Sequence, residues 1–249
     1  MAKIAAGIGS SHVPNIGPAY DAEKFEEPDW KPLFDGYRPV KEWLQDEIKP
    51  DSVILVYNDH GSDFALDRVP TFAIGVCDKY QQADEGHGVR PLPLVKGNAE
   101  LSWFLAKELI YDEFDLTICQ EMKVDHGLMV PLPLLFSHKP NWNVKVVPPN
   151  DTKVAVIGTG GMSHQLHGER FGHLDSKFDQ KWLELLETDP EKLADLSHVD
   201  IMKSAGAEAV ELIMWLVMRG AMSSSVKKTH SNYYAPMTTG MSLIAMVDS

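Results

Sequence analysis

Residues 3–14 read KIAAGIGSSHVP, a continuous apolar run that ends in a small-residue turn and a histidine. The same plan recurs at 52–62, SVILVYNDHGS, and at 153–164, KVAVIGTGGMSH. Strands are predicted within them at Lys3–Gly9, Ser52–Tyr57 and Lys153–Gly158, with others at Thr71–Val76, Asp115–Cys119, Val144–Val147 and Leu243–Val247. Apolar residues at successive positions, rather than alternate ones, suit strands covered on both faces. Helical patterns lie between them. Trp30–Glu47 carries Leu33, Tyr37, Val40, Trp43 and Leu44 near a 3.6-residue period, and Ala99–Leu109, Asp175–Leu186 and Ala205–Arg219 read similarly. The alternation predicts an α/β fold, a single domain over residues 1–249 whose mainly parallel or mixed central sheet is flanked by helices.

In open α/β sheets, ligands bind at the carboxyl ends of the strands. His12, His60 and His164 each follow a predicted strand at that end. A lone loop histidine is most often structural. Three at equivalent strand ends lie along one edge, and neutral imidazole is a common metal ligand whose ring is fixed by a nearby acceptor. Asp59 or the Asn58 side chain would supply that acceptor for His60, or either is simply a turn residue. The GTGGMS turn before His164 matches neither the dinucleotide fingerprint nor the P-loop, so its glycines are read as allowing a sharp turn and close approach to a ligand.

Glu208 and Glu211 fall in the most apolar helical pattern, GAEAVELIMWLVMRG. Glu208 suits a first turn, where the helix dipole favours a carboxylate. Glu211 is surrounded by Val210, Leu212, Ile213, Met214, Trp215 and Leu216. An ionised carboxylate there costs several kcal/mol (about that order) unless it is paired or coordinated. A metal ion would resolve this, and so would Arg219, two turns later on a similar face. With two strand-end histidines, Glu211 completes a two-His, one-carboxylate set of the kind used by non-haem Fe(II) oxygenases. Zinc uses the same ligand types for hydrolysis, so ligand types alone leave a metallohydrolase open, and a non-catalytic binding protein on this fold as well.

A formal net charge of −13 argues against nucleic acid as a partner and requires an acidic substrate to find local donors in its pocket. Two cysteines, Cys77 and Cys119, make no disulfide framework. MAKIAAGIGSSHVP lacks a signal-peptide h-region, and AVELIMWLVM is too short to span a bilayer, so a cytoplasmic protein without a membrane segment is expected. The Gln81–Gly97 loop, rich in Gly, Pro and charge, is of a length often tied to function.

The segments SSHVP, VILVYNDH, PTFAIG, ADEGHGVRPLP, DEFDLTI, VDHG, GTGGMSHQL and VELIMWLVMRGAM resemble, in order, the class III extradiol ring-cleaving dioxygenases. This family includes the catalytic β subunit of protocatechuate 4,5-dioxygenase and the gallate and methylgallate dioxygenases. The resemblance implies Fe(2+) held by His12, His60 and Glu211, with His164 as acid–base histidine and His126 bonding a substrate hydroxyl or dioxygen. It places Thr238, in APMTTG, near a substrate carboxylate. It further implies a carboxylated catechol and O2 as substrates, and either a small helical α subunit or a homo-oligomer. The sequence departs from the family at His87, where a tryptophan is usual, and at Pro148–Asn150, where a stretch of strand and helix is missing. Either a helix near the site is absent from this chain or a segment is omitted near 148–150; the second is expected, because parallel strands need a longer crossover than that.

Overall fold

The computed structural model describes residues 2–65, 67–136 and 152–249. The expected strand Val144–Val147 and the short connection at 148–150 lie outside them. In chain order the strands are β1 (Lys3–Ser10), β2 (Ser52–Val56), β3 (Ala73–Gly75), β4 (Lys79–Gln82), β5 (Val95–Lys96), β6 (Thr117–Cys119), β7 (Lys123–Val124), β8 (Lys153–Thr159), β9 (Val226–Tyr234) and β10 (Met241–Asp248).

Five of them form the central sheet in the order β2-β8-β1-β10-β9. β8 runs parallel to both β1 and β2, whereas β10 is antiparallel to β1 and to β9. The sheet is therefore mixed. In the parallel part, Ser10 lies opposite Thr159 and Val56 opposite Gly158, so three strands finish along one edge.

Successive side chains on a strand point to opposite faces, and both faces are covered here. Val154, Val156, Ile244 and Met246 pack with Trp182, Leu186, Leu212, Trp215 and Met218 from helices Ser176–Thr188 and Ile213–Gly220 and the Glu208–Leu212 turn between them in the chain. Ile8, Ile157, Leu243 and Ala245 face Leu33, Tyr37 and Val40 of the Lys31–Trp43 helix and Leu44 just beyond it, with Leu134 and Leu135. Strand β9 departs from the continuous apolar pattern. Its KKTHSNYY stretch alternates half-buried and exposed because, among the described residues, it is an edge strand paired to β10 alone.

The apolar pattern over Ala205–Arg219 is not one helix. A helix ends at Ala205, a 3-10 segment runs Glu208–Leu212, and an α-helix follows over Ile213–Gly220. Gly206 makes the break: its φ is 104°, and a side chain there would overlap the His164 carbonyl. The later segment lies flat on the sheet where strand residues lack side chains. A Cβ at Gly9 would strike the Trp215 ring, one at Gly158 the Met214 carbonyl, and one at Gly160 the Glu211 backbone and Cβ.

Two small sheets flank the core, β3-β6 and β5-β4-β7. The parallel pairing of β4 with β7 sets Gln82 opposite Val124, which brings the loop after β4 beside Asp125 and His126. Among the described residues, no helix is long and apolar enough to cross a membrane.

Candidate metal centre

Strand ends and the flattened helical segment converge on one cluster. His12, two residues beyond β1, is 2% exposed, and its Nε2 lies 3.1 Å from Glu211 Oε2. His60 Nε2 lies 3.2 Å from the other oxygen, Oε1. One carboxylate thus spans both imidazoles, and Gly161 N–H donates to its Oε2 at 2.8 Å. Arg219 does not pair with Glu211: its Nε donates to the Leu186 carbonyl and its Nη1 to that of Ser223, both at 2.8 Å.

The far nitrogens of both rings are already engaged. Thr159 Oγ1 donates to the Gly127 carbonyl at 3.0 Å, so it accepts from His12 Nδ1 at 2.9 Å. Asp125, wholly buried, accepts from His60 Nδ1 at 3.0 Å and from the His60 backbone N–H at 2.7 Å. With the protons on Nδ1, the Nε2 lone pairs of neutral His12 and His60 face a carboxylate, acceptor against acceptor. Such a set is stable with a proton or a cation between its members. Burial alone would lower the His60 pKa, yet hydrogen bonds to Asp125 and Glu211 carry it up to about 10. Burial likewise opposes ionisation of Glu211, and the two histidines reverse this and hold its carboxyl far below the usual range. Asn58 Nδ2 sits 3.1 Å from His60 Nε2 and 3.2 Å from Glu211 Oε1, while its Oδ1 is buried without a partner among the described residues. Donor chemistry and an orphaned polar atom both fit a divalent cation.

Asp125 is the acceptor that sequence reasoning missed. Adjacency favours Asp59, but its carboxylate is spent on the backbone N–H groups of Gly61, Ser62, Asp63 and Phe64. Asp59 is a turn residue. Asp125 comes from 65 positions away and also caps the His126–Met129 helix through Gly127 N–H.

His126 joins the cluster. Its ring centroid is 3.9 Å from that of His60 and 5.4 Å from that of His12, and nitrogens of the three rings lie within 4.8 Å of one another. Burial lowers its pKa, and the charge on His60 adds to that. Its Nδ1 meets Glu85 Oε1 at 2.5 Å.

His164 stands on the other side of Gly161, where a Cβ would lie 2.7 Å from His164 Cε1. It is 6% exposed, its N–H donates to the Ala205 carbonyl at 2.8 Å, and it bridges to Thr239. Nδ1 lies 2.7 Å from the Met162 carbonyl, so it carries the proton and leaves Nε2 free as a base. The preceding residue is clamped by buried Asp179, which accepts the Ser163 N–H at 2.8 Å, the Ser163 hydroxyl at 2.7 Å and the Tyr233 hydroxyl at 2.9 Å. Burial pushes the Asp179 carboxyl up despite those bonds. Thr238 is half-buried beside Gly172 and next in the chain to Thr239.

The sequence pattern of the catalytic LigB subunit of aromatic ring-opening dioxygenase matches residues 6–150 and 144–245. The chain belongs to that family. All six residues singled out from the sequence lie inside the matched ranges. Gallate dioxygenase of Pseudomonas putida is 34% identical over 194 residues, which cover 66% of this chain and 57% of that protein. The 2,3-dihydroxyphenylpropionate/2,3-dihydroxicinnamic acid 1,2-dioxygenase of Burkholderia vietnamiensis is 24% identical over 250 residues, 72% of this chain and 78% of the relative. The chain thus spans little more than half of the gallate enzyme.

Proposed function

We propose that residues 1–249 form one catalytic domain that cleaves a carboxylated catechol of the protocatechuate or gallate type with O2, breaking the ring bond beside the diol. Both oxygen atoms enter the product, a muconic semialdehyde or a related ring-opened acid. The observation that carries this reading is the facing of two Nε2 lone pairs and the Glu211 carboxylate, a donor set for Fe(2+) made of His12, His60 and Glu211. Bound Fe(2+) supplies open positions for the diol and O2, and a route for electron density between them.

The chain's own groups do the remaining work. Asp125 and Thr159 hold the two imidazoles with Nε2 inward. His164 Nε2 takes a hydroxyl proton from the catechol, because its Nδ1–H is committed to the Met162 carbonyl. The proton is then available to the departing oxygen of the cleavage step. His126 bonds a substrate hydroxyl or dioxygen from the His60 side, and Thr238 lies toward the substrate carboxylate. The protein works in the cytoplasm, with a small helical partner subunit or as a homo-oligomer, and the mass of the purified assembly distinguishes these.

Anaerobic loading with Fe(2+), then oxygen uptake with protocatechuate, gallate and methylgallate, tests the reading. Uptake that requires both iron and a catechol is expected. Zinc-dependent hydrolysis without oxygen would replace the dioxygenase with a metallohydrolase, and failure to bind any divalent metal would leave a binding protein.

A further inference from the structure

The loop that follows β4 sends one side chain into the site. Ala83 N–H donates to the Val124 carbonyl at 2.9 Å, extending the β4–β7 pairing, so the next residues of both segments run side by side. Asp84 folds the loop, its Oδ1 accepting the N–H groups of Gly86 and Gly88, each at 2.9 Å. Those glycines have φ of 91° and 79° in open space, so conformation rather than crowding calls for glycine. The turn leaves Glu85 over His126. The His126 backbone N–H donates to Glu85 Oε2 at 3.0 Å, and His126 Nδ1 meets Oε1 at 2.5 Å.

An ionised carboxylate only accepts, so the Nδ1 of His126 carries the proton. Its Nε2 is then the ring's acceptor, on a ring that packs 3.9 Å from the His60 ring at a tilt of 33°. Among the described residues, the hydrogen bonds of the Glu85 carboxylate go to His126. Tethering the loop would need the backbone bond alone. The second bond, to the ring, acts on the orientation of the imidazole.

We propose that Glu85 is a positioning residue: it fixes the ring plane and the Nδ1–H tautomer of His126, so that Nε2 faces the bound catechol. Its catalytic consequence rests on the ring-cleavage reading above; its structural claim does not.

The test uses the full chain with Glu85→Ala and Glu85→Gln, each alone and combined with His126→Ala. Side-chain ¹⁵N resonances of His126 in the metal-free protein report the tautomer. Anaerobic titration of the iron-loaded protein with protocatechuate and with gallate reports the complex. In Glu85→Ala the Nδ1–H signature should be lost and catechol affinity should fall about tenfold, the worth of one charged hydrogen bond. Glu85→Gln keeps a carbonyl acceptor and should retain the tautomer and most of the affinity. In the His126→Ala background, Glu85→Ala should add no further loss. An unchanged tautomer in Glu85→Ala, or additive losses in the double variant, overturns the proposal. If the tautomer shifts as expected while even the wild-type protein binds no catechol, the positioning role stands and the ring-cleavage reading fails.

Discussion

Four histidines surround the candidate centre, and they are held in two ways. His12 and His164, 2% and 6% exposed, leave strands β1 and β8, and their Nδ1 protons go to uncharged acceptors, the Thr159 hydroxyl and the Met162 carbonyl. The His60 and His126 side chains, 23% and 13% exposed, stand in a loop and at the first residue of the His126–Met129 helix, and give their Nδ1 protons to the carboxylates of Asp125 and Glu85. A peptide carbonyl and a threonine hydroxyl carry no charge, so the first pair is oriented by neutral hydrogen bonds. The second pair depends on carboxylates brought from 65 and 41 positions away. The rigid side of the site is held by uncharged groups at the sheet edge, and the adjustable side by carboxylates.

Glu211 joins the two pairs, and removing it should have the largest effect. Glu211→Ala is expected to lose stoichiometric Fe(2+) on gel filtration; a variant that retains the metal would take Glu211 out of the ligand set. The rigid side is broken at His164. His164→Ala should keep its iron while turnover falls roughly 10²–10⁴-fold, and near-normal kcat would remove its acid–base role. The adjustable side is probed by Asp125→Asn, for which chelator competition should show metal affinity falling about 10–100-fold. Asp59→Asn is the matched control and should leave affinity unchanged, since among the described residues the Asp59 carboxylate bonds its own turn. Equal effects of the two would erase the distinction between them.

The smallest effect concerns pH. The His60 pKa in the folded, metal-free protein is carried up to about 10, from the ordinary imidazole value of 6.5. A raised value means that the folded state holds the proton more tightly, so this contribution to stability is full below about 6.5 and fades as pH rises toward 10. The melting temperature of metal-free protein should therefore fall by a few degrees (roughly) across that window. Bound metal replaces the proton and should flatten the curve. A melting temperature that rises with pH in the metal-free protein would contradict the sign.

What could be read in the sequence follows the same division. His12, His60 and His164 were legible because buried parallel strands are continuous apolar runs, and the residues just past their ends share one edge. Glu211 was legible because a charge amid Leu212, Trp215 and Leu216 needs an explanation, and the structure answers it with His12 and His60 rather than Arg219. Asp125, Glu85 and Asp179 were not, because each reaches its histidine or serine through strand register or helix packing that no local pattern encodes. Proximity in the chain favoured Asp59 instead. Strand β9 escaped for a related reason, since a solvent-facing edge strand carries lysines, threonine and asparagine where a buried one carries valine. The join at Gly206 was hidden by apolar residues continuing on both sides of it.

The bare backbone at Gly9, Gly158 and Gly160 gives this chain an unusual vulnerability to mutation. In most cores an added methyl is absorbed by repacking and appears only as lost stability. Here the methyl would push against the segment that carries Glu211, so an apolar substitution that replaces no ligand would appear as a metal-binding defect. Genetic screens for loss of iron should therefore recover apolar replacements on β1 and β8 alongside replacements of the ligands themselves. Attempts to stabilise the protein by filling glycine positions should spare these three.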